Sequence, residues 1–152
     1  MKIRYLLGAA TLALSLSAPA LYAQATGTAA EAKALLEKGI AALKANKNEA
    51  LAKFPKADGG FRDRDLYIFC FNMSDGKFTA HPNPALMGTD IRALKDPNGK
   101  VFGPDIYGAT KADTINTVAY NFPKPGTTSP SVAKESYVTQ VGDQGCGVGY
   151  YK

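Results

Sequence analysis

Residues 65–84 read DLYIFCFNMSDGKFTAHPNP, and this stretch decides the fold. Residues 65–71 are mostly aromatic and aliphatic, which suits a pleated strand covered on its faces. Ser74, Asp75, Gly76 and Lys77 form a turn, because Gly76 tolerates the positive φ that hairpin turns require. Phe78, Thr79 and Ala80 begin the return strand. His81, Pro82, Asn83 and Pro84 end it, since proline donates no ladder hydrogen bond and restricts the residue before it. The one histidine of the chain therefore stands where a hairpin stops, in a stiff loop.

On the N-terminal side, apolar residues recur at helical spacing over 28–46: Ala32, Leu35, Leu36, Ile40 and Leu43. A second short helix is expected over 49–54, capped by Asn48 and stopped by Pro55. On the C-terminal side, an irregular connection rich in proline and glycine leads to a short helix within 101–111, with Phe102, Ile106 and Ala109 inward. Three more strands are expected at 115–122, 132–141 and 146–151. Helices together with sequential strands imply an α+β fold, an antiparallel sheet with helices on one side.

The 152 residues allow one domain. Lys2 and Arg4, an apolar run over 6–16 and small residues after it read as an export leader over 1–23, with cleavage at Ala23 to Ala25. That reading makes the domain periplasmic or secreted, with no stable membrane insertion after cleavage. The net charge of +5 is scattered among acidic residues and forms no basic stripe interleaved with aromatics, which argues against nucleic acid. Cys70 and Cys146 make no metal-spaced cluster, and export favours their pairing over two buried thiols. Serines lie in no nucleophile-elbow context and carboxylates form no recognisable pair. The chain therefore reads as a non-enzyme without cofactor or metal.

The segments FRDRDLYIF, DGKFTAHPNPALMG, DPNGKVF, VAYNFPKPG, KESYV and GCGVGYYK occur in an order that resembles the type-2 single Cache domain, a PAS-like extracytoplasmic sensor module. The resemblance covers residues 29–152. It implies a five-stranded antiparallel sheet, with the strands counted in the sequence order above and arranged 2-1-5-4-3, and the long N-terminal helix packed across it. With the first and last strands as neighbours, the face of Leu66, Ile68 and Cys70 continues into Cys146 and Val148. The face of Tyr67, Phe69 and Phe71 then lies beside Gly145, Gly147 and Gly149, where rings can cover the vacant surface.

The aliphatic face is expected under the helix. The aromatic face is expected to line either a closed core or a pocket beneath the 81–111 connection. A pocket would draw on Tyr67, Phe69, His81, Tyr120 and Tyr137, with Lys134 as the cation for a small organic anion. Lys134 and Tyr137 match the K-x-x-Y segment of the family; regular alternation points Lys134 away from the Tyr137 face, so Lys134 serves the pocket only if the strand starts after it or bulges. The resemblance implies binding of a short-chain organic acid such as acetate, lactate, pyruvate or propionate. Signalling would then pass through a separate membrane receptor or kinase, with a homodimer left open. The alternative is an interaction module without a pocket, dimerising or docking through the N-terminal helix.

Overall fold

A computed structural model describes residues 26–152. The expected leader and its cleavage point lie outside the described residues.

Helix α1, Ala29–Ala45, starts at a capping box: Thr28 Oγ1 accepts from the Glu31 N–H, and the Glu31 carboxylate accepts from the Thr28 N–H. Asn46 closes α1 and opens α2, Lys47–Lys53, by accepting from the Glu49 N–H. The cap is thus Asn46 rather than Asn48, and α2 starts two residues earlier than expected. The third helix, α3, Gly103–Ala109, is shorter than its expected span because Pro104 fits only the first turn.

Among the described residues six strands form the sheet: β1 (Arg62–Asp63), β2 (Leu66–Asn72), β3 (Phe78–Ala80), β4 (Asn116–Pro123), β5 (Ser131–Val141) and β6 (Gln144–Tyr151). The antiparallel order runs β3-β2-β6-β5-β4, the order that the resemblance implied for the five expected strands. The addition is β1, which folds back on the start of β2 so that Arg62 pairs with Tyr67 and Asp63 with Leu66. Arg64, at φ 55°, makes the tight reversal between them. That two-residue strand has no periodic signal of its own.

Register divides the sheet into two faces. Ile68, Val148 and Tyr137 are cross-strand partners, as are Cys70, Cys146 and Thr139. This face packs under α1: Leu36, Leu43, Phe54, Leu66, Ile68 and Val148 form one buried cluster. Within it, a disulfide joins Cys70 to Cys146, directly opposite each other in the two central strands.

The other face carries Phe69 opposite Gly147 and Phe71 opposite Gly145. A Cβ on Gly147 would come within 2.6 Å of the Phe69 ring, and one on Gly145 within 2.5 Å of the Phe71 ring. The glycine row is therefore the flat bed on which these rings lie. Ile91, Phe102 and Ile106 from the 81–111 connection close over it as a second buried cluster.

Candidate functional site

Beneath that connection the aromatic face is nearly full. The space edged by Phe69, Phe78, Phe102 and Tyr120 amounts to about 20 Å³, room for one water. The Phe102 ring stacks on Tyr120 with centroids 4.6 Å apart. The roomy cavity, about 700 Å³, lies beside this packed zone. Tyr67 and His81 line both spaces. The walls of the larger one come from the β1 hairpin (Arg62, Arg64), the Lys95-Asp96-Pro97 turn and the 122–128 segment after β4.

The buried floor is polar. Lys134 is 2% exposed, and its Nζ donates to Tyr67 Oη at 3.1 Å. The ammonium also lies 4.6 Å from the centre of the Tyr67 ring, 4.7 Å from Tyr151 and 5.4 Å from Phe122. Such a cage of ring faces partly replaces lost hydration. Burial lowers the Lys134 pKa to about 8, against some support from the nearby charge of Asp65, so the amine is still mostly protonated at neutral pH. Asp65 makes no ion pair with it: its Oδ1 accepts from the Gly27 N–H at 2.6 Å, and its Oδ2 is buried without a partner.

The Lys134 stem lies over Gly149, where a Cβ would collide with Cε. The last glycine of the row thus gives the lysine its path across the sheet. Because Lys134 donates to Tyr67, the hydroxyl proton of Tyr67 remains available to a ligand. Burial pushes the ionisation of that hydroxyl well above 10, so it is a neutral donor.

His81 is also buried. Its Nδ1 accepts from the Asn83 N–H at 2.9 Å, which leaves the neutral ring with its proton on Nε2. Burial, helped by the positive charge of Lys134, lowers its pKa to about 4. The imidazole meets Tyr67 and Phe78 edge-on, with centroids 5.3 and 5.4 Å away. The stiff loop expected from the two prolines therefore fixes the ring by a backbone bond and still turns it to the cavity. Two neutral donors, with a buried cation behind one of them, suit an anionic oxygen.

Of the six residues expected at the site, Tyr67, His81 and Lys134 come together. Lys134 acts from behind Tyr67 and does not line the larger cavity. Phe69 and Tyr120 belong to the packed zone, where Tyr120 Oη is 2.8 Å from Ser136 Oγ. Tyr137 is on the opposite face, paired with Val148 and stacked on Tyr150 at 5.9 Å. Its assignment to the pocket is corrected. No irregularity of β5 is needed, since Lys134 reaches the aromatic face by plain alternation.

Residues 17–150 match the sequence profile of the family described as Single Cache domain 2. The chain belongs to this family. Cache domains are extracytoplasmic sensor modules, and the relatives are chemoreceptor sensors rather than enzymes. Over 77 residues, half of this chain, the Cache domain is 36% identical to the methyl-accepting chemotaxis protein McpP of Pseudomonas putida. The match spans only 14% of that protein's length.

Among solved structures, a methyl-accepting chemotaxis protein from Vibrio parahaemolyticus superposes with a TM-score of 0.62 at 25% identity, covering 80% of this chain and 86% of that one. A Cache chemosensory domain described for its recognition of carboxylic acids gives 0.58 at 26% identity, with the same coverage. The periplasmic sensor domain of a chemotaxis protein gives 0.57 at 28%, covering 80% and 88%.

Sequence reasoning missed the 122–128 wall and Lys95, while Arg62, beside Asp63, reads in the sequence as a candidate for an anion but more readily as part of a local ion pair or an exposed loop. Apart from a basic residue in each of FRDRD, ALKDP and FPKPG, nothing in their local patterns marks them. They meet only because three loops converge at one end of the sheet.

Proposed function

We propose that this Cache domain binds a small organic anion in the 700 Å³ cavity, as the receiving module of a chemosensory system. The observation that carries the reading is the buried ammonium of Lys134, bonded to Tyr67 and paired with no carboxylate among the described residues. A buried cation that no carboxylate touches, with only the more distant Asp65 to offset it, is costly unless a ligand supplies negative charge closer by. The anion would accept from Tyr67 Oη and His81 Nε2 while Lys134 balances its charge through Tyr67. A carboxylate is favoured because a structural neighbour is described as recognising carboxylic acids. The chemotaxis receptors it resembles support a membrane receptor or kinase as the partner that reads occupancy.

The docking alternative would require an exposed apolar stripe on α1. The large apolar residues that stand exposed among the described residues are Met87 and Val101, both outside α1. Calorimetry with acetate, propionate, lactate and pyruvate tests the reading. Tyr67→Phe removes one hydrogen bond to a charged group and should weaken binding by about 1.5–3 kcal/mol with little change in packing. His81→Ala should weaken it as well. Parent-like affinity in both variants, for whichever acid binds, would place the ligand elsewhere.

A further inference from the structure

The cavity holds more positive charge than a single carboxylate can answer. Arg62, Arg64, Lys95 and Lys124 line it, and all four are exposed at its mouth. Arg64 is occupied by Glu31 at 2.7 Å and Asp63 at 2.6 Å. Arg62, Lys95 and Lys124 form no ion pair among the described residues. Arg62 makes one long bond, 3.4 Å, to the Pro55 carbonyl, and Lys124 lies 5.9 Å from the Tyr151 ring. Among the described residues one carboxylate lines the space, Asp96; its Oδ1 accepts from the N–H groups of Asn98 and Lys100 in its own turn, and its single charge is outnumbered by the three cations.

Charge is thus arranged in two tiers. The buried tier is Tyr67 and His81 with Lys134 behind; the exposed tier is the three unpaired cations. Between them stand apolar walls from Phe122, Pro82, Pro97 and Pro123. An acid of two or three carbons would engage the buried tier alone and fill little of a space this size. A longer acid with an apolar tail would use the walls but bring hydrocarbon to three cations.

We propose that the cavity takes a linear dicarboxylate, one carboxylate on Tyr67 and His81 and the other among Arg62, Lys95 and Lys124. This rests on the reading of the buried tier given above. The methylenes between the two ends lie against the proline and phenylalanine walls. The exposed tier is wet, so its share of the affinity is modest and falls with salt.

Calorimetry at low ionic strength compares succinate, glutarate and adipate with their monomethyl esters, which keep the length and lose one charge. At least one diacid should bind roughly tenfold tighter than its monoester, with the advantage shrinking as salt is added. In the triple variant Arg62→Gln, Lys95→Gln, Lys124→Gln the ratio of diacid to monoester affinity should fall close to one. A ratio near one in the parent for all three lengths overturns the proposal, and so does a ratio that survives in the triple variant. Monoester or propionate binding that still depends on Tyr67 and His81 leaves the buried tier standing in either case. If neither diacids nor monoacids bind, both readings fall together.

Discussion

The two faces of the sheet are built from the same strands and do opposite work. Under α1 the contacts are largely apolar, and a disulfide ties the central strands. Across the sheet, the aromatic face buries Lys134, Ser136 and His81 among rings, and one end of it opens into a cavity. Hydrophobic burial and a covalent tie stabilise the first face. The second holds a cation in no direct ion pair and a histidine kept neutral, groups whose burial costs stability. The contrast teaches that this fold concentrates its stability on the helix face and its desolvated polar groups on the other, where the anion of the proposed function would relieve the cost of burying Lys134.

The largest expected effect lies on the helix face. Replacing both Cys70 and Cys146 by alanine releases a loop closed across 76 positions and should cost about 4 kcal/mol, read by chemical denaturation against the oxidised parent. Ligand affinity of the folded fraction should stay close to that of the parent, because the sulfurs are on the far face. A large loss of affinity at full folding would break the division between the faces.

Next comes pH. His81 has a folded pKa of about 4 against an ordinary 6.5, so the unfolded chain takes up its proton first as pH falls. Stability is therefore kept above pH 6.5, falls between 6.5 and 4, and loses nothing further from this group below that. The loss should approach 3 kcal/mol, by the usual energy per pKa unit. Comparing denaturation at several pH values for the parent and His81→Asn checks this: the variant should show a flatter profile over that window. Equal slopes would mean that the aromatic face does not hold the ring neutral.

The smallest effect sharpens the glycine row. Gly147→Ala places a methyl 2.6 Å from the Phe69 ring and 2.8 Å from the Tyr137 carbonyl, so backbone or ring must move. A loss of about 1–3 kcal/mol is expected. A neutral result would show that the rings do not depend on the bare strand beneath them.

How far the sequence reached differs by level. The hairpin at 65–84, the long first helix, the strand order implied by the resemblance and the alternation on the first and last strands all stand in the structure. Apart from the strand order, which the resemblance alone implied, their signals are local: periodicity, caps, turn glycines and prolines. Tyr137 shows where local signals stop. Both faces of β5 mix polar and apolar residues, Lys134, Ser136 and Val138 against Tyr137, Thr139 and Val141, so alternation alone cannot say which face is inward. Counting back from the two-residue turn at Gly142 and Asp143 sets Tyr137 opposite Val148 and settles the face.

By itself, then, the sequence determined the elements and the alternation of the strands, and it singled out Tyr67, His81 and Lys134, which the fold brings together. Tertiary structure alone decided that Lys134 bonds to Tyr67 without lining the larger cavity, that Phe69 and Tyr120 are spent on packing, and that the open space lies at the sheet's end. Periodicity specifies which way a side chain leaves its strand. Whether it meets a ring, a carbonyl or water depends on loops that approach from far along the chain, and no short-range pattern records that meeting.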